Sequence, residues 1–250
     1  MKEIFINTGD ESNLAAYLWG PGAGDKYMVV ICHGFRGAKE NGGKVFGFAD
    51  KLRRAGVGVL AFDFRGSGQS EGDFSTVTLT RQGQDLKQVI DYIDTRFGLP
   101  VIVLGRSMGG SSVLVGASGD DRVAGFIFWS TPVFMQAAFS TIMGKDYARL
   151  RAGQTVIFRD DGGQFELCPD LADDFDRHDM DVYIKKIGWK PALIVQARDD
   201  DAVSPANGEY LHQMLPNSQL SMFDQAGHRF LELTGQREDL TVEWLRQNFF

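Results

Sequence analysis

The sequence is poor in the features that mark secreted, membrane-spanning or polyanion-binding chains. It has two cysteines, Cys32 and Cys168, far apart and too few for a disulfide framework. Cys32 sits in the apolar run 29–32 and reads as a buried, inert thiol. No stretch approaches the roughly 18 consecutive apolar residues of a membrane span. The N-terminal residues 1–7 meet polar side chains at once, without the ~7–15-residue apolar core of a secretory signal. The expectation is a cytoplasmic protein. Basic runs are also missing, and 26 Lys and Arg against 33 Asp and Glu leave a net charge of −7. That balance argues against nucleic acid or an anionic membrane as partner. No Gly-Lys-Ser/Thr follows a glycine-rich turn and no G-x-G-x-x-G opens a helix. Asp160-Asp161-Gly162-Gly163 lacks the alternating ligands of a calcium loop, and His178-Asp179 has no partner at ligand spacing. No metal and no cofactor is expected.

What is present is glycine and phenylalanine, 30 and 19 residues in a chain of 250 that is 43% apolar. That length and apolar content suit one large domain or two small ones, with a substantial core. Residues 4–7 and 14–19 read as two strands around the turn Thr8-Gly9-Asp10-Glu11. Residues 27–32, 57–62, 100–104, 123–129, 191–196 and 219–223 are short apolar runs, the mark of strands covered on both faces. Helical spacing predicts helices over 45–55, 80–97, 108–117, 205–215 and 238–249. In the first of these, Phe46, Ala49, Leu52 and Ala55 share a face. From residue 27 on, strands alternate with helices, which predicts a mostly parallel sheet with helices on both sides. Residues 132–188 break the rhythm. Within them, 155–159 and 164–168 flank Asp160-Asp161-Gly162-Gly163 as a hairpin would. This segment is expected to be an insertion packed over the sheet edge as a lid, within one domain spanning 1–250.

One motif carries chemistry. Gly105-Arg106-Ser107-Met108-Gly109-Gly110 follows a strand and opens a helix of small residues. G-x-S-x-G in that context presents a serine on a strained turn, so its neighbours must lack bulky side chains. The helix N-terminus behind it favours developing negative charge. A serine nucleophile needs a base, and the base needs an orienting acid. His228, after strand 219–223 and before the last helix, is the candidate base. The acid should follow strand 191–196, where Asp199, Asp200 and Asp201 compete.

On these residues the chain resembles the α/β-hydrolases of the serine esterase type along essentially its whole length. That family's acid strand commonly ends G-x-x-D-x-x-V-P. Aligning Ala197 with the glycine puts Asp200 at the acid and Val203 at the valine, with Ser204 in place of proline. The resemblance therefore implies a Ser107–His228–Asp200 triad. His33-Gly34-Phe35-Arg36-Gly37 is similar to the family's oxyanion loop. It implies that the backbone N–H groups of Phe35 and Met108 hold the oxyanion, with His33 structural. Asp63-Phe64-Arg65-Gly66-Ser67-Gly68-Gln69-Ser70 resembles the family's D-x-R-G-x-G-x-S loop. Neither of its serines lies in an elbow.

Within the family the resemblance is to bacterial cinnamoyl/feruloyl esterases, over 33–37, 63–72, 105–110 and 182–204. The insertion carries Phe134, Phe139, Tyr147, Phe158, Phe165, Phe175 and Tyr183, more rings than it can bury alone. Some are expected to roof the serine, favouring a planar or apolar acyl group. The implied function is hydrolysis of small, aromatic esters such as feruloyl esters. A thioesterase, monoacylglycerol lipase or small peptidase would use the same triad, and a non-catalytic binding module is the alternative of another class. Nothing in the sequence supports a defined oligomer.

Overall fold

The computed structural model describes residues 1–9, 12–160 and 163–250. Two strands open the chain, β1 (Lys2–Asn7) and β2 (Asn13–Trp19), paired antiparallel. The predicted turn between them includes Asp10 and Glu11, which lie outside the described residues. Next come β3 (Met28–Cys32), β4 (Gly58–Phe62), β5 (Val101–Arg106) and β6 (Val123–Trp129). A separate antiparallel hairpin, β7 (Val156–Asp160) and β8 (Gly163–Leu167), precedes β9 (Ala192–Ala197) and β10 (Ser218–Phe223). Asp161 and Gly162, at the predicted hairpin turn, lie outside the described residues. The main sheet has eight strands in the order β1-β2-β4-β3-β5-β6-β9-β10, with β2 antiparallel to β4 and every later pairing parallel.

Strand periodicity explains how both faces come to be covered. Met28, Val30, Val101 and Val103 point to one side, and Val29, Ile102 and Leu104 to the other. The first side is covered by α2 (Leu79–Phe97) and α3 (Met108–Ala117), through Leu86, Val89, Ile90 and Val113. The second is covered by α1 (Lys44–Arg54) and the C-terminal helix (Thr234–Phe249), through Phe48, Leu52, Trp244 and Leu245. Each of these large side chains, taken fully out of water, stabilises the fold by roughly 1.5–3 kcal/mol.

Two helix expectations shift. In α1 the buried face is Val45, Phe48, Ala49 and Leu52, while Phe46 lies off it and packs tilted against Tyr17 and edge-on against Trp19. The i, i+3, i+4, i+7 stripe passes through Val45, so Phe46 falls one residue, or about 100°, off the core. The C-terminal helix starts at Thr234, before the predicted 238. Its first turn turns Arg237 inward, and an apolar pattern cannot register a buried arginine.

The segment between β6 and β9 holds α4 (Met135–Met143), α5 (Lys145–Arg151), the β7–β8 hairpin, α6 (Asp170–Phe175) and α7 (Met180–Ile187). α7 packs against α3 and α8 (Ala206–Met214), as a crossover helix leading into β9 does. The remaining pieces gather around Phe139, Tyr147 and Phe175, with Phe139 and Phe175 centroids 4.8 Å apart. These rings are continuous with the α2/α3 side of the core. Buried Asp174 accepts from Thr80 N at 3.0 Å and Thr80 Oγ1 at 2.6 Å, tying α6 to the start of α2. His178 completes that joint, with Nε2 2.9 Å from Thr80 Oγ1 and Nδ1 2.9 Å from the Tyr183 hydroxyl. At the C-terminus Phe249 packs against Tyr27 and Trp244. Among the described residues no helix is long and apolar enough to cross a membrane.

The loops after β3 and β4 are joined by a buried ion pair. Asp63, wholly buried, accepts from Lys39 Nζ at 2.8 Å, Lys39 N at 2.6 Å and Gln69 N at 3.0 Å. Lys39 Nζ also donates to Glu40 Oε1 at 3.0 Å and Gln69 Oε1 at 2.6 Å, so removing Asp63 takes away its buried counter-ion and three hydrogen bonds but not its last partner. Asp63→Ala is expected to lower unfolding free energy by about 3–5 kcal/mol. A urea titration reads this directly; a loss under about 1 kcal/mol would show that water reaches Lys39 and the pair is not structural.

Candidate active site

The loops that follow β3, β5, β9 and β10 open at the same edge of the sheet, beyond the carboxyl ends of its parallel strands. Crevices in open α/β sheets form there. Ser107 caps β5 with φ +51° and ψ −131°, outside the regions that L-residues favour. Such a conformation costs on the order of 1–3 kcal/mol and persists only when its surroundings enforce it. Here Ser107 N donates to Trp129 O at 2.8 Å, and Gly110 N donates to Ser107 O at 2.8 Å. The turn also needs glycine. A Cβ on Gly109 would collide with the carbonyl oxygen of His33, and one on Gly34 would come within 3.1 Å of Arg106 O and Ser107 Cβ.

The predicted base and acid come to this serine. His228 Nε2 is 3.1 Å from Ser107 Oγ, and His228 Nδ1 is 3.0 Å from both carboxylate oxygens of Asp200. A carboxylate only accepts, so Nδ1 carries the proton and the Nε2 lone pair faces the serine hydroxyl. Asp200 is held in turn. Its Oδ1 accepts from Ala202 N at 3.1 Å and Val203 N at 2.8 Å, and its Oδ2 accepts from Gln196 Nε2 at 3.0 Å. The side chain is fully buried.

The other predicted positions surround this line. Among the described residues, no protein acceptor takes the N–H of Phe35 or of Met108. His33 Nε2 accepts from Phe64 N at 3.1 Å, so its Nδ1 is the donor to Gly34 O at 2.8 Å. Both ring nitrogens are engaged, and burial pushes its pKa down, so it pins the loop as a neutral imidazole. Ser70 Oγ donates to Asp63 O at 2.6 Å and accepts from Ala15 N at 2.8 Å. Burial pushes the Cys32 thiol well above its ordinary pKa.

The roles of three residues near the site escaped the sequence reading. Gln196 orients Asp200, and the available signal was a polar residue inside an otherwise apolar strand. Asp199 Oδ1 accepts from Ala226 N and Gly227 N, each at 2.9 Å, and these two N–H groups hold its carboxyl below the usual range. It thereby anchors the loop that carries His228. Asp199→Ala is expected to lower kcat by about tenfold through misplacement of the imidazole. Asp199→Asn keeps the acceptor and should stay within about twofold. Equal losses in steady-state assays would show that the charge, not the loop anchor, matters. Arg237 is the third. It lies buried with its guanidinium 4.0 Å from the Trp129 ring centroid and 4.8 Å from that of Phe230. Burial, then the nearby Arg106 charge, push its pKa down to about 9.

A cavity of about 950 Å³ opens over Ser107 and His228. Phe35, Ile142, Phe158, Leu231 and Leu233 supply its apolar wall. Of the seven predicted roof rings only Phe158 is among the residues lining it. Phe165 and Phe139 back Phe35 at centroid distances of 5.9 and 5.2 Å. Tyr147 and Phe175 fill the insertion's own core, Phe134 packs on Tyr210, and Tyr183 packs on His178. The roof is thus mostly core, with one ring and Ile142 facing the site. Among the described residues no group of three His, Cys, Asp or Glu side chains is placed to hold a metal ion.

Comparison with known proteins agrees with this architecture. The sequence profile of the family described as serine aminopeptidase, S33, matches residues 24–156. Human monoglyceride lipase is 31% identical over 135 residues, covering 53% of this chain and 44% of that protein. The quorum-quenching protein AidA of Acinetobacter baumannii is 33% identical over 104 residues, covering 40% and 34%. The chain spans about a third to under half of the length of the curated relatives it matches. Among solved structures, Est1E from Butyrivibrio proteoclasticus, with ferulic acid bound, superposes with a TM-score of 0.82 at 22% identity, over 98% of each chain. The fold is that of the α/β-hydrolases.

Proposed function

The chain belongs to the serine aminopeptidase S33 family of α/β-hydrolases, and from that premise we propose that it is a serine carboxylic ester hydrolase acting on small esters in the cytoplasm. One observation carries the reading: Ser107 Oγ, the His228 ring and the Asp200 carboxylate stand in a single hydrogen-bonded line, with contacts of 3.1 and 3.0 Å. Ser107 Oγ attacks the ester carbonyl while His228 Nε2 takes its proton. The carbonyl oxygen becomes an oxyanion held by the N–H groups of Phe35 and Met108. Collapse breaks the ester C–O bond, and the imidazolium returns the proton to the departing alcohol. Water then attacks the acyl-serine with His228 as base, releasing the acid and restoring the hydroxyl. Asp200 fixes the imidazole tautomer and stabilises its cation. The chemistry draws only on these groups and water.

The substrate reading follows from the wall of the cavity. Phe35 and Phe158 favour a short or planar aryl acyl group, including hydroxycinnamoyl. A second reading, a monoacylglycerol lipase, is favoured by the similarity to human monoglyceride lipase and by Ile142, Leu231 and Leu233 in the same wall. A panel of p-nitrophenyl acetate, butyrate and palmitate, methyl ferulate, a monoacylglycerol and an aminoacyl arylamide separates them. Aryl or short acyl esters are expected to exceed the long-chain esters by about tenfold in kcat/KM. Preference for palmitate or the monoacylglycerol would favour the lipase, and cleavage of the arylamide alone would favour a peptidase.

A further inference from the structure

The loop after β3 carries a side chain where its backbone favours none. Gly37 N donates to Gly34 O at 2.9 Å, so residues 34–37 close a four-residue turn with Phe35 and Arg36 at its centre. Arg36 lies in the left-handed region, with φ +54°. Glycine or asparagine is at ease there, and an arginine is not. Such a conformation persists only where the surroundings enforce it.

The insertion supplies that enforcement. The guanidinium carbon of Arg36 lies 3.8 Å from the centroid of the Phe165 ring, on β8. At that distance the cation rests on the negative face of the ring and is attracted to it. Phe165 is itself fixed. Its ring is edge-on to Phe35, Phe74 and Phe158, at centroid distances of 5.9, 5.4 and 5.4 Å. The hairpin is rooted beneath it by buried Val156 and Leu167, and by Cys168 N, which donates to Ser75 O at 2.9 Å. One ring of the insertion thus meets both central residues of the turn, Phe35 through its ring and Arg36 through its guanidinium.

Building on the hydrolase reading, in which the Phe35 N–H holds the oxyanion, we propose that Arg36 and Phe165 are a positioning pair: the stacked guanidinium locks the 34–37 turn and keeps the Phe35 N–H aimed at the carbonyl oxygen of the ester under attack. Neither side chain touches the reacting atoms. Relaxation of Arg36 to negative φ would open the turn and misaim that donor. Oxyanion charge develops only on the way to the transition state, so a misaimed donor lowers kcat and leaves KM nearly unchanged. Acylation and deacylation both pass through an oxyanion, so the effect holds whichever step is slower.

The test weakens the stack while keeping its shape. Mono-, di- and trifluorinated phenylalanine are incorporated at position 165, which progressively withdraws negative charge from the ring face. On p-nitrophenyl butyrate, kcat is expected to fall stepwise, to about fivefold at the trifluorinated ring, with KM within about twofold. Inhibition by phenylboronic acid, whose tetrahedral adduct on Ser107 puts an oxygen at the oxyanion position, should weaken in parallel. The same series is then repeated in Arg36→Gln. That variant is expected to start about tenfold lower in kcat and to show no slope with fluorination, because the ring contacts with Phe35 and Phe74 remain and the cation is gone. A flat series with Arg36 present, an equal slope in Arg36→Gln, or a loss carried by KM would overturn the proposal. In each of those outcomes the unsubstituted protein still cleaves the ester, and the hydrolase reading stands. Absence of ester turnover by the unsubstituted protein would remove both.

Discussion

Ser107→Ala is expected to lower kcat/KM on any ester the protein turns over by about 10⁴-fold or more. Among the described residues no other hydroxyl is hydrogen-bonded to the His228 ring. Ser70 is engaged by Asp63 O and Ala15 N, and Ser111 Oγ donates to Pro132 O at 2.6 Å. The cavity and the Phe35 and Met108 N–H groups survive the substitution, so binding should change little and the loss should fall on kcat. The backbone strain at position 107 is shared by alanine, so thermal stability should also be close to that of the parent. Michaelis kinetics and thermal unfolding on one preparation check both points. A loss under about tenfold with the fold intact would mean that chemistry happens elsewhere.

The second large effect is at Asp200. Asp200→Asn is expected to reduce kcat by about 10³–10⁴-fold. The reason is a change of tautomer. The Oδ1 position already accepts from Ala202 N and Val203 N, so an asparagine keeps its carbonyl there and turns its amide toward Gln196 and His228. Gln196 meets the new donor only by rotating its unpartnered Oε1 toward it, which gives up the bond from its Nε2 to Val203 O at 3.1 Å. His228 Nδ1 then faces an N–H donor beside a neutral carbonyl, so both the Nδ1–H tautomer and the imidazolium lose the carboxylate that held them, and the Nε2–H tautomer, which blocks the serine, gains population. Asp201→Asn should stay within about twofold, because Asp201 is exposed and makes no contact with the ring. If Asp201→Asn cost more than Asp200→Asn in steady-state assays, the acid would be misassigned.

Much of the fold was legible because its signals are local. Every strand of the main sheet is an apolar run or an alternating one, and the elbow glycines stand at fixed offsets from Ser107. Two kinds of feature were not legible. The first is the inward turn of polar residues whose partners lie far along the chain. Arg237 meets Trp129, and Gln196 meets Asp200 only through the loop that follows β9. The second is what Asp199 and Asp201 do beside Asp200, which the family resemblance, and not the spacing of the three, singled out as the acid. Their sequence spacing is uniform. What separates them is that Asp199 meets the backbone of 226 and 227 while Asp200 meets the imidazole. Ring count misled for a related reason. Phe139, Tyr147 and Phe175 share composition with a pocket wall, and only packing assigns them to the insertion's core.

The central claim is that Ser107 is an activated nucleophile. Incubation of the folded protein with a fluorophosphonate, followed by peptide mass mapping, tests it most directly. The account predicts a single adduct on the peptide containing Ser107, lost in Ser107→Ala and strongly slowed in Asp200→Asn. No adduct on folded protein, or an adduct on Ser67 or Ser70 instead, would contradict it.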